Sequence, residues 1–416
     1  MARTVLKFGG TSVADPDRIS HVADLVAARA QQGEKLAVIV SAMAGETNRL
    51  VDLCRTVAGG DVPLESFDDE YDVVVASGEQ VTSGLLALAL RRRGLPARSW
   101  LGWQMRLTTN GAHASARIEG VEAETLPAAV DTGEIAVIAG FQGIGPNGRI
   151  TTLGRGGSDT SAVAVAAALQ AETCDIYTDV DGVYTTDPRI VSRAQRLDRI
   201  SYEEMLEMAS LGAKVLQTRS VELAMNHSVP VRVLSSFAQP GEDNPGTLVC
   251  SEDTIVEKQV VSGVAYSRDE AKITLFGVED RPGVSARIFS LLAAAGVNVD
   301  MIVQANARGE GQANMVFTCT HRDAAIAREA LSGAQAEIGF ERMETNTDVA
   351  KVSIIGVGMK SHTGVAETMF RALFEKGINI DVISTSEIKI SVLIQAAYTE
   401  LAVRALHTAF GLDAVS

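Results

Sequence analysis

The chain has 416 residues, 46% apolar and 21% charged, the balance of a folded globular protein and not of a disordered one. Its formal charge is −15, from 37 basic and 52 acidic side chains, which weighs against nucleic acid and anionic membranes as partners. A bound polyanion would need locally placed cations, which singles out Lys7, Arg155, Arg189 and Lys214, and the length suggests about two or three domains.

An apolar run from Val5 to Phe8 gives way to Gly9-Gly10-Thr11-Ser12, with Lys7 beside the turn. Glycines let backbone N–H groups approach an anion, a following helix points its positive end at it, and lysine adds a full charge. The pattern reads as a phosphate site, although an ordinary strand exit has the same composition; it is neither the Walker pattern nor the three-glycine dinucleotide fingerprint. Asp15-Pro16 predicts a capped helix start, and Leu36 to Val40, Ile135 to Phe141, Cys174 to Thr178 and Val229 to Leu234 read as further buried strands. Ser158 is expected to open an alanine-rich helix, and Ser201 with Glu204 makes a capping box. This alternation predicts an α/β fold, a three-layer αβα sandwich around a mostly parallel sheet.

Blocks at strand ends and helix starts carry the chemistry. They are Ser41-Ala-Met43 with Glu46-Thr47-Asn48, Ser77-Gly78-Glu79, Gly140-Phe141-Gln142-Gly143, Leu153-Gly154-Arg155-Gly156-Gly157-Ser158-Asp159, and Thr178-Asp179-Val-Asp181-Gly182-Val-Tyr184 running into Thr186-Asp187-Pro188-Arg189. Each has a plainer reading: Asp159 is placed to cap a helix, Glu79 to sit in a first helical turn, Asp181-Gly182 to make a turn, and Phe141 to join a core.

A polar stretch from Gln239 to Gly246 closes this half, and a duplicated unit follows. Lys272-Ile-Thr-Leu-Phe-Gly277-Val recurs as Lys351-Val-Ser-Ile-Ile-Gly356-Val at an offset of 79, and Gly283-Val and Gly296-Val-Asn298-Val-Asp300 recur as Gly364-Val and Gly377-Ile-Asn379-Ile-Asp381 at 81. Each copy reads as a small βαββαβ module. The expected division is a first domain over 1–248, a module over 264–340 and a second over 341–416, to which a strand at 255–263 can add.

No long apolar run precedes the glycine pair, so no signal peptide is expected; the most apolar windows, Gly84 to Leu90 and Ser161 to Leu169, fall short of the roughly 20 residues of a membrane span. Cys54, Cys174, Cys250 and Cys319 are far apart and lack histidines at ligand spacing, which reads as buried thiols in a reducing cytoplasm with no metal site.

In this order the blocks resemble the aspartate kinases of the amino acid kinase family, and the repeated tail resembles their paired ACT domains. The resemblance implies transfer of the ATP γ-phosphoryl group to the side-chain carboxylate of L-aspartate, with magnesium carried by the nucleotide. It assigns catalysis to Lys7 and Asp159, and substrate contacts to Ser41, Thr47, Glu79, Phe141, Arg155 and Ser158. It gives the nucleotide Lys7, Phe8, Gly9, Gly10, Gly156, Gly157, Ser158, Thr178, Asp179, Tyr184, Asp187, Pro188, Arg189 and Lys214. Effector amino acids, lysine or threonine or both, would meet Asp280, Gly283, Val284, Asn298, Asp300 and Gln304 in one copy and Val365, Ile380, Asp381 and Glu387 in the other. A cytoplasmic homo-oligomer assembled through the ACT domains is expected, and the rivals are another amino acid kinase or a non-catalytic amino acid sensor. Two departures stand out: Met105-Arg106 where the family often has small or apolar residues, and Ala114 after His113 where glycine is usual.

The residues agree with such chemistry on their own terms. A carboxylate acceptor, with a pKa near ~3.9, is already a nucleophile at neutral pH and needs no general base. Its obstacle is repulsion, on the order of 4 kcal/mol per unit charge pair at about 4 Å and a dielectric of about 20. Such a site must be rich in cations and N–H donors, and none of the six histidines falls in the blocks.

Overall fold

The computed structural model of the protein describes residues 2–59, 68–121, 125–212, 215–255, 259–307 and 311–413. They form two compact units, Met1–Val183 with Arg196–Glu257, and Tyr184–Gln195 with Lys258–Ser416.

In the first unit an eight-stranded sheet takes the order Arg199–Ser201, Thr247–Cys250, Val231–Ser235, Thr173–Thr178, Arg3–Phe8, Lys35–Val40, Ile135–Ala139 and Ala97–Trp100. The last six run parallel. The apolar runs Val5–Phe8, Leu36–Val40 and Ile135–Ala139 are buried at every residue, which requires cover on both faces. Leu6, Phe8, Leu36, Val38 and Val40 pack with Ile19, Val22 and Val26 of the helix Pro16–Gln31 and with Leu86 and Leu90 of the helix Ser77–Arg92. Alternation along a strand then turns Lys7 toward the opposite layer, that of the helix Gly157–Leu169. That helix is alanine-rich and apolar nearly all round, as a fully covered helix must be. The expected caps form: Asp15 accepts from the Arg18 N–H, and Ser201 and Glu204 make the reciprocal box.

One expectation needs correction. The helical stretch Asp68–Arg92, 25 residues long, is apolar and long enough to cross a membrane, with half of its most apolar window buried inside the protein. The short windows judged from sequence understated it. It carries two buried carboxylates, Asp72 and Glu79, into the domain, as a core helix lining a polar site does.

In the second unit a six-stranded sheet runs Ile302–Asn306, Gln312–Cys319, Gly263–Glu279, Arg342–Ile355, Lys389–Gln395 and Val382–Thr385. Each central strand serves both repeats. Lys272–Phe276 pairs with Arg342–Asn346, so these last residues, placed from sequence in the module over 341–416, complete the first copy; the strand that adds to the second is Gly263–Ser267, paired with Lys351–Ile355, and not 255–263. Glu270 faces Val349, its own counterpart 79 residues on, so a pseudo-twofold axis passes between them. Lysines cross that axis: Lys272 Nζ lies 2.5 Å from Asp381, and Lys351 binds Asp300 and lies 2.7 Å from Glu270.

The segment Tyr184–Gln195, assigned from sequence to 1–248, belongs instead to the second unit. Thr185 Oγ1 is 2.9 Å from His407 Nε2, whose Nδ1 is 2.7 Å from Asp413; the Arg404 guanidinium donates to the Ile190 carbonyl at 3.0 Å. Tyr266 donates to Asp187, and Val191 joins the apolar core with Val352, Ile354 and Val392.

Burial pulls the Lys351 ammonium's pKa down, and the Glu270 and Asp300 carboxylates more than offset this, leaving it raised. Glu270→Ala should therefore leave a buried cation short of one partner and destabilise the second unit by on the order of 3 kcal/mol, measured by denaturant unfolding. An unchanged midpoint would show that Asp300 alone satisfies Lys351.

Candidate active site

Four adjacent parallel strands end on one edge of the first sheet, and their ends carry Lys7 with Gly9 and Gly10, Ser41 and Ala42, Gly140 and Phe141, and Thr178 and Asp179. Loops at the carboxyl ends of such strands are where open α/β sheets bind ligands. Lys7 Nζ lies 2.5 Å from Asp159 Oδ1, with both side chains 11% exposed. Asp159 is thus no helix cap: Gly156 occupies that position at φ +74° and the helix has no side-chain cap. A β-carbon at Gly9 would come within 3.4 Å of Lys7 Nζ, so the ammonium rests against the glycine backbone. An amine beside bare backbone, oriented by a carboxylate, makes a cradle suited to a phosphoryl group.

Glu79, in the first turn of Ser77–Arg92, is 3% exposed. Its Oε1 accepts from the Ala42 N–H at 3.0 Å, while its buried Oε2 has no hydrogen-bond partner. Burial pushes its pKa up from 4.5 to about 7, only partly offset by backbone donors. A desolvated carboxylate with an unmet oxygen fits an ammonium ligand. Ser41, at the neighbouring strand end, and Thr47, in the helix Glu46–Ala58, are half-buried.

Phe141 adopts φ +67°, a left-handed backbone unusual for a side chain of that size. Its N–H donates to Ser161 Oγ at 3.1 Å and its carbonyl accepts from the Leu153 N–H at 2.9 Å, which holds the strained turn. Ser158 is buried beside Gly140, where an added β-carbon would meet its Oγ at 2.9 Å. Gly157 packs as closely on the Phe141 ring. Arg155 is exposed and has no hydrogen bond or ion pair among the described residues; it stands four positions before Asp159, within about 14 Å of chain. The chain therefore keeps the two cations, Lys7 and Arg155, at the same helix start.

Thr178 and Asp179 close the strand Thr173–Thr178, the threonine hydroxyl donating to Asp179 at 3.1 Å. Tyr184, Asp187, Pro188 and Arg189 lie in the second unit. There Asp187 is held below the usual carboxylate range, chiefly by the Arg189 guanidinium at 2.8 Å, so that arginine is not a free cation. Lys214 lies outside the described residues.

Among the positions expected to meet effectors, Asp280, Gly283, Asn298, Gln304 and Glu387 are exposed and Ile380 is half-buried. Val284 and Val365 are corrected: both side chains sit in core clusters, leaving only their backbone at a helix start available. Asp300 and Asp381 are already engaged by Lys351 and Lys272.

Sequence reasoning passed over four groups. The Ala42 N–H acts through its backbone, which composition cannot reveal. Ser12, in the turn Gly10–Val13, and Ser236, just after the strand Val231–Ser235, share a 2.8 Å hydrogen bond, and Arg18 reaches the Ser236 carbonyl at 2.8 Å. Asp72, in the run Asp68-Asp69-Glu70-Tyr71-Asp72, looks like part of a solvated acidic face yet is fully buried. Arg219 donates to the Leu153 carbonyl at 2.7 Å and the Ala116 carbonyl at 2.6 Å. No group of three or more His, Cys, Asp or Glu able to hold a metal occurs among the described residues.

Comparison with known proteins gives the chain's family. Residues 2–235 match the model of the amino acid kinase family, and residues 272–334 and 352–410 each match an ACT domain. An aspartate kinase of Stutzerimonas stutzeri is 54% identical over 415 residues, covering 100% of this chain and 98% of that protein. The solved structure of Escherichia coli aspartokinase III with aspartate and ADP superposes with a TM-score of 0.79 at 29% identity, over 98% of this chain and 99% of that one. The same enzyme with lysine and aspartate gives 0.76 at 28% identity, over 98% and 99%.

A carboxyl group whose folded pKa is raised opposes folding wherever the unfolded group is ionised. Glu79→Gln should therefore match the parent protein's stability below about pH 4.5, gain on it as pH rises, and level off above about pH 7 at on the order of 3 kcal/mol. Thermal melts across that range check it, and a gain independent of pH would place the cause elsewhere.

Proposed function

Because the chain belongs to the amino acid kinase family and, within it, to the aspartate kinases, we propose how its own residues carry ATP-dependent phosphorylation of the aspartate carboxyl group. The single observation that carries this reading is Lys7 Nζ, held 2.5 Å from Asp159 over the Gly9 backbone.

In the proposed reaction the side-chain carboxylate of L-aspartate attacks the γ-phosphorus of ATP, the bond to the β,γ-bridging oxygen breaks, and 4-phospho-L-aspartate and ADP leave. No proton need be removed, so the protein's task is to bring two anions together. Lys7, oriented by Asp159, neutralises the moving phosphoryl group, while the Gly9 and Gly10 N–H groups supply donors. Arg155 grips the α-carboxylate of aspartate with its guanidinium fork, Glu79 takes the ammonium, and Ser41, Thr47 and Ser158 donate to substrate or phosphate. Phe141 walls the pocket, Thr178 and Asp179 lie on the nucleotide side, and Lys214 is assigned to the nucleotide by resemblance. Magnesium would arrive with the nucleotide and supply positive charge against its phosphates, the described residues offering no cluster of three or more His, Cys, Asp or Glu to hold it themselves.

Feedback by lysine, threonine or both is proposed for the tail. The Escherichia coli enzyme crystallised with lysine and aspartate supports an amino acid effector. An effector ammonium seeking Asp300 or Asp381 competes with Lys351 or Lys272, which already supply one. We assign assembly into a homo-oligomer to the same domains, and the reaction to the start of lysine, threonine and methionine synthesis in the cytoplasm.

The defining experiment traps an acyl phosphate with hydroxylamine, using ATP and a panel of amino acids, with lysine and threonine added singly and together. Aspartate alone should yield the hydroxamate; formation with a glutamate derivative instead would overturn the substrate assignment, and none with any acceptor would favour a non-catalytic sensor. Lys7→Ala should lower kcat by at least about 100-fold with the fold intact by circular dichroism; near-parental turnover would remove Lys7 from the chemistry. Asp280→Ala should raise the inhibitory effector concentration about tenfold, a loss of one charge-assisted contact, and unchanged inhibition would exclude that position.

A further inference from the structure

We propose that Asp72 is a positioning residue for aspartate binding, holding the Arg155 loop through the left-handed backbone of Ala114. The inference rests on the reading of Arg155 as the residue that grips the substrate carboxylate.

Asp72 is fully buried on the helix Asp68–Val75, and among the described residues no lysine or arginine partners it. A carboxyl group in that setting needs hydrogen bonds to replace its water. Three groups supply them: the Ala114 N–H, at 3.1 and 3.2 Å from the two oxygens, His113 Nδ1 at 2.7 Å, and the Thr152 hydroxyl. These come from two segments. One is the turn around His113 and Ala114. The other is the strand Ile150–Thr152, which runs directly into Leu153-Gly154-Arg155.

The segments are joined elsewhere as well. The Ala116 N–H donates to the Thr152 carbonyl at 2.9 Å, and Gly154 lies so close to the Ala114 carbonyl that an added β-carbon would stand 3.2 Å from it. From the helix Thr218–His227, Arg219 bridges the Leu153 and Ala116 carbonyls. The backbone leading to Arg155 is thus clamped at Asp72 and at Arg219, while the Arg155 side chain stays free to meet a ligand. Ala114 is the weak point, since φ +59° strains any residue with a β-carbon. Two carboxylate oxygens on its N–H oppose relaxation of that turn, which is how this chain keeps alanine where glycine would fit without strain.

Steady-state kinetics of the full-length enzyme test the proposal. Asp72→Asn should raise the aspartate KM about tenfold and leave the ATP KM within about twofold, because one substrate's anchor has shifted. Adding Ala114→Gly should return the aspartate KM to within about threefold of the parent, since glycine takes that turn unaided. Should Asp72→Asn fail to fold, His113→Ala, which removes one partner at a half-buried position, should still raise the aspartate KM about threefold with the ATP KM unmoved. Equal rises in both constants, an unmoved aspartate KM in the folded variants, or no recovery with Ala114→Gly would overturn the proposal. Arg155→Ala separates the two levels. If it leaves the aspartate KM unchanged, the reading of Arg155 falls and the inference with it; if it raises that KM while the Asp72 and His113 variants do not, the inference alone falls.

Discussion

A lysine paired with a carboxylate at the tip of a buried strand is the constraint on which the first unit is organised. Lys7 has apolar neighbours before and after it in the strand, and alternation sends Leu6 and Phe8 into one layer and the amine into the other. The amine tolerates that place only because Asp159 meets it from the helix Gly157–Leu169. The pair in turn demands a helix that starts at the edge of the sheet, a glycine-rich turn to start it, and close backbone approach at Gly9. Remove the need for the cation, and an ordinary apolar strand would serve.

Charge is used differently at the neighbouring strand. Glu79 is desolvated and has only backbone N–H groups for company, so it is poised between protonated and ionised near neutrality. The same sheet edge therefore presents an ammonium, that of Lys7, and an underpaired carboxylate, that of Glu79. In the proposed reaction the zwitterion's ammonium goes to Glu79 and its α-carboxylate to Arg155, which leaves the repelling side-chain carboxylate for Lys7 and the glycine N–H donors.

Much of this arrangement was legible in the sequence, and the illegible parts share a cause. Buried strands announce themselves as short apolar runs, and the repeat announces itself by register, so the sheet core and the duplicated tail could be read directly. Lys7 stood out beside its glycine pair, whereas Asp159 read as a helix cap and gained its role only through the family resemblance. Asp72 did not, since four acids in five residues look solvated until the helix is turned to show that one of them faces inward. Backbone donors such as the Ala42 N–H leave no mark on composition. Tyr184–Gln195 misled for another reason: contiguity in sequence suggested one domain, whereas its packing partners, among them His407 and Tyr266, lie more than 70 residues further along.

The strand Gly263–Glu279 lends its two ends to different repeats. The tail is consequently not a pair of separable beads. A fragment starting after residue 268 would keep every residue of the second copy, yet it would present an unpaired row of N–H and carbonyl groups along Lys351–Ile355. Shuffling or trimming of this region, by evolution or by hand, has to carry the stretch from residue 263 onward as one inseparable block.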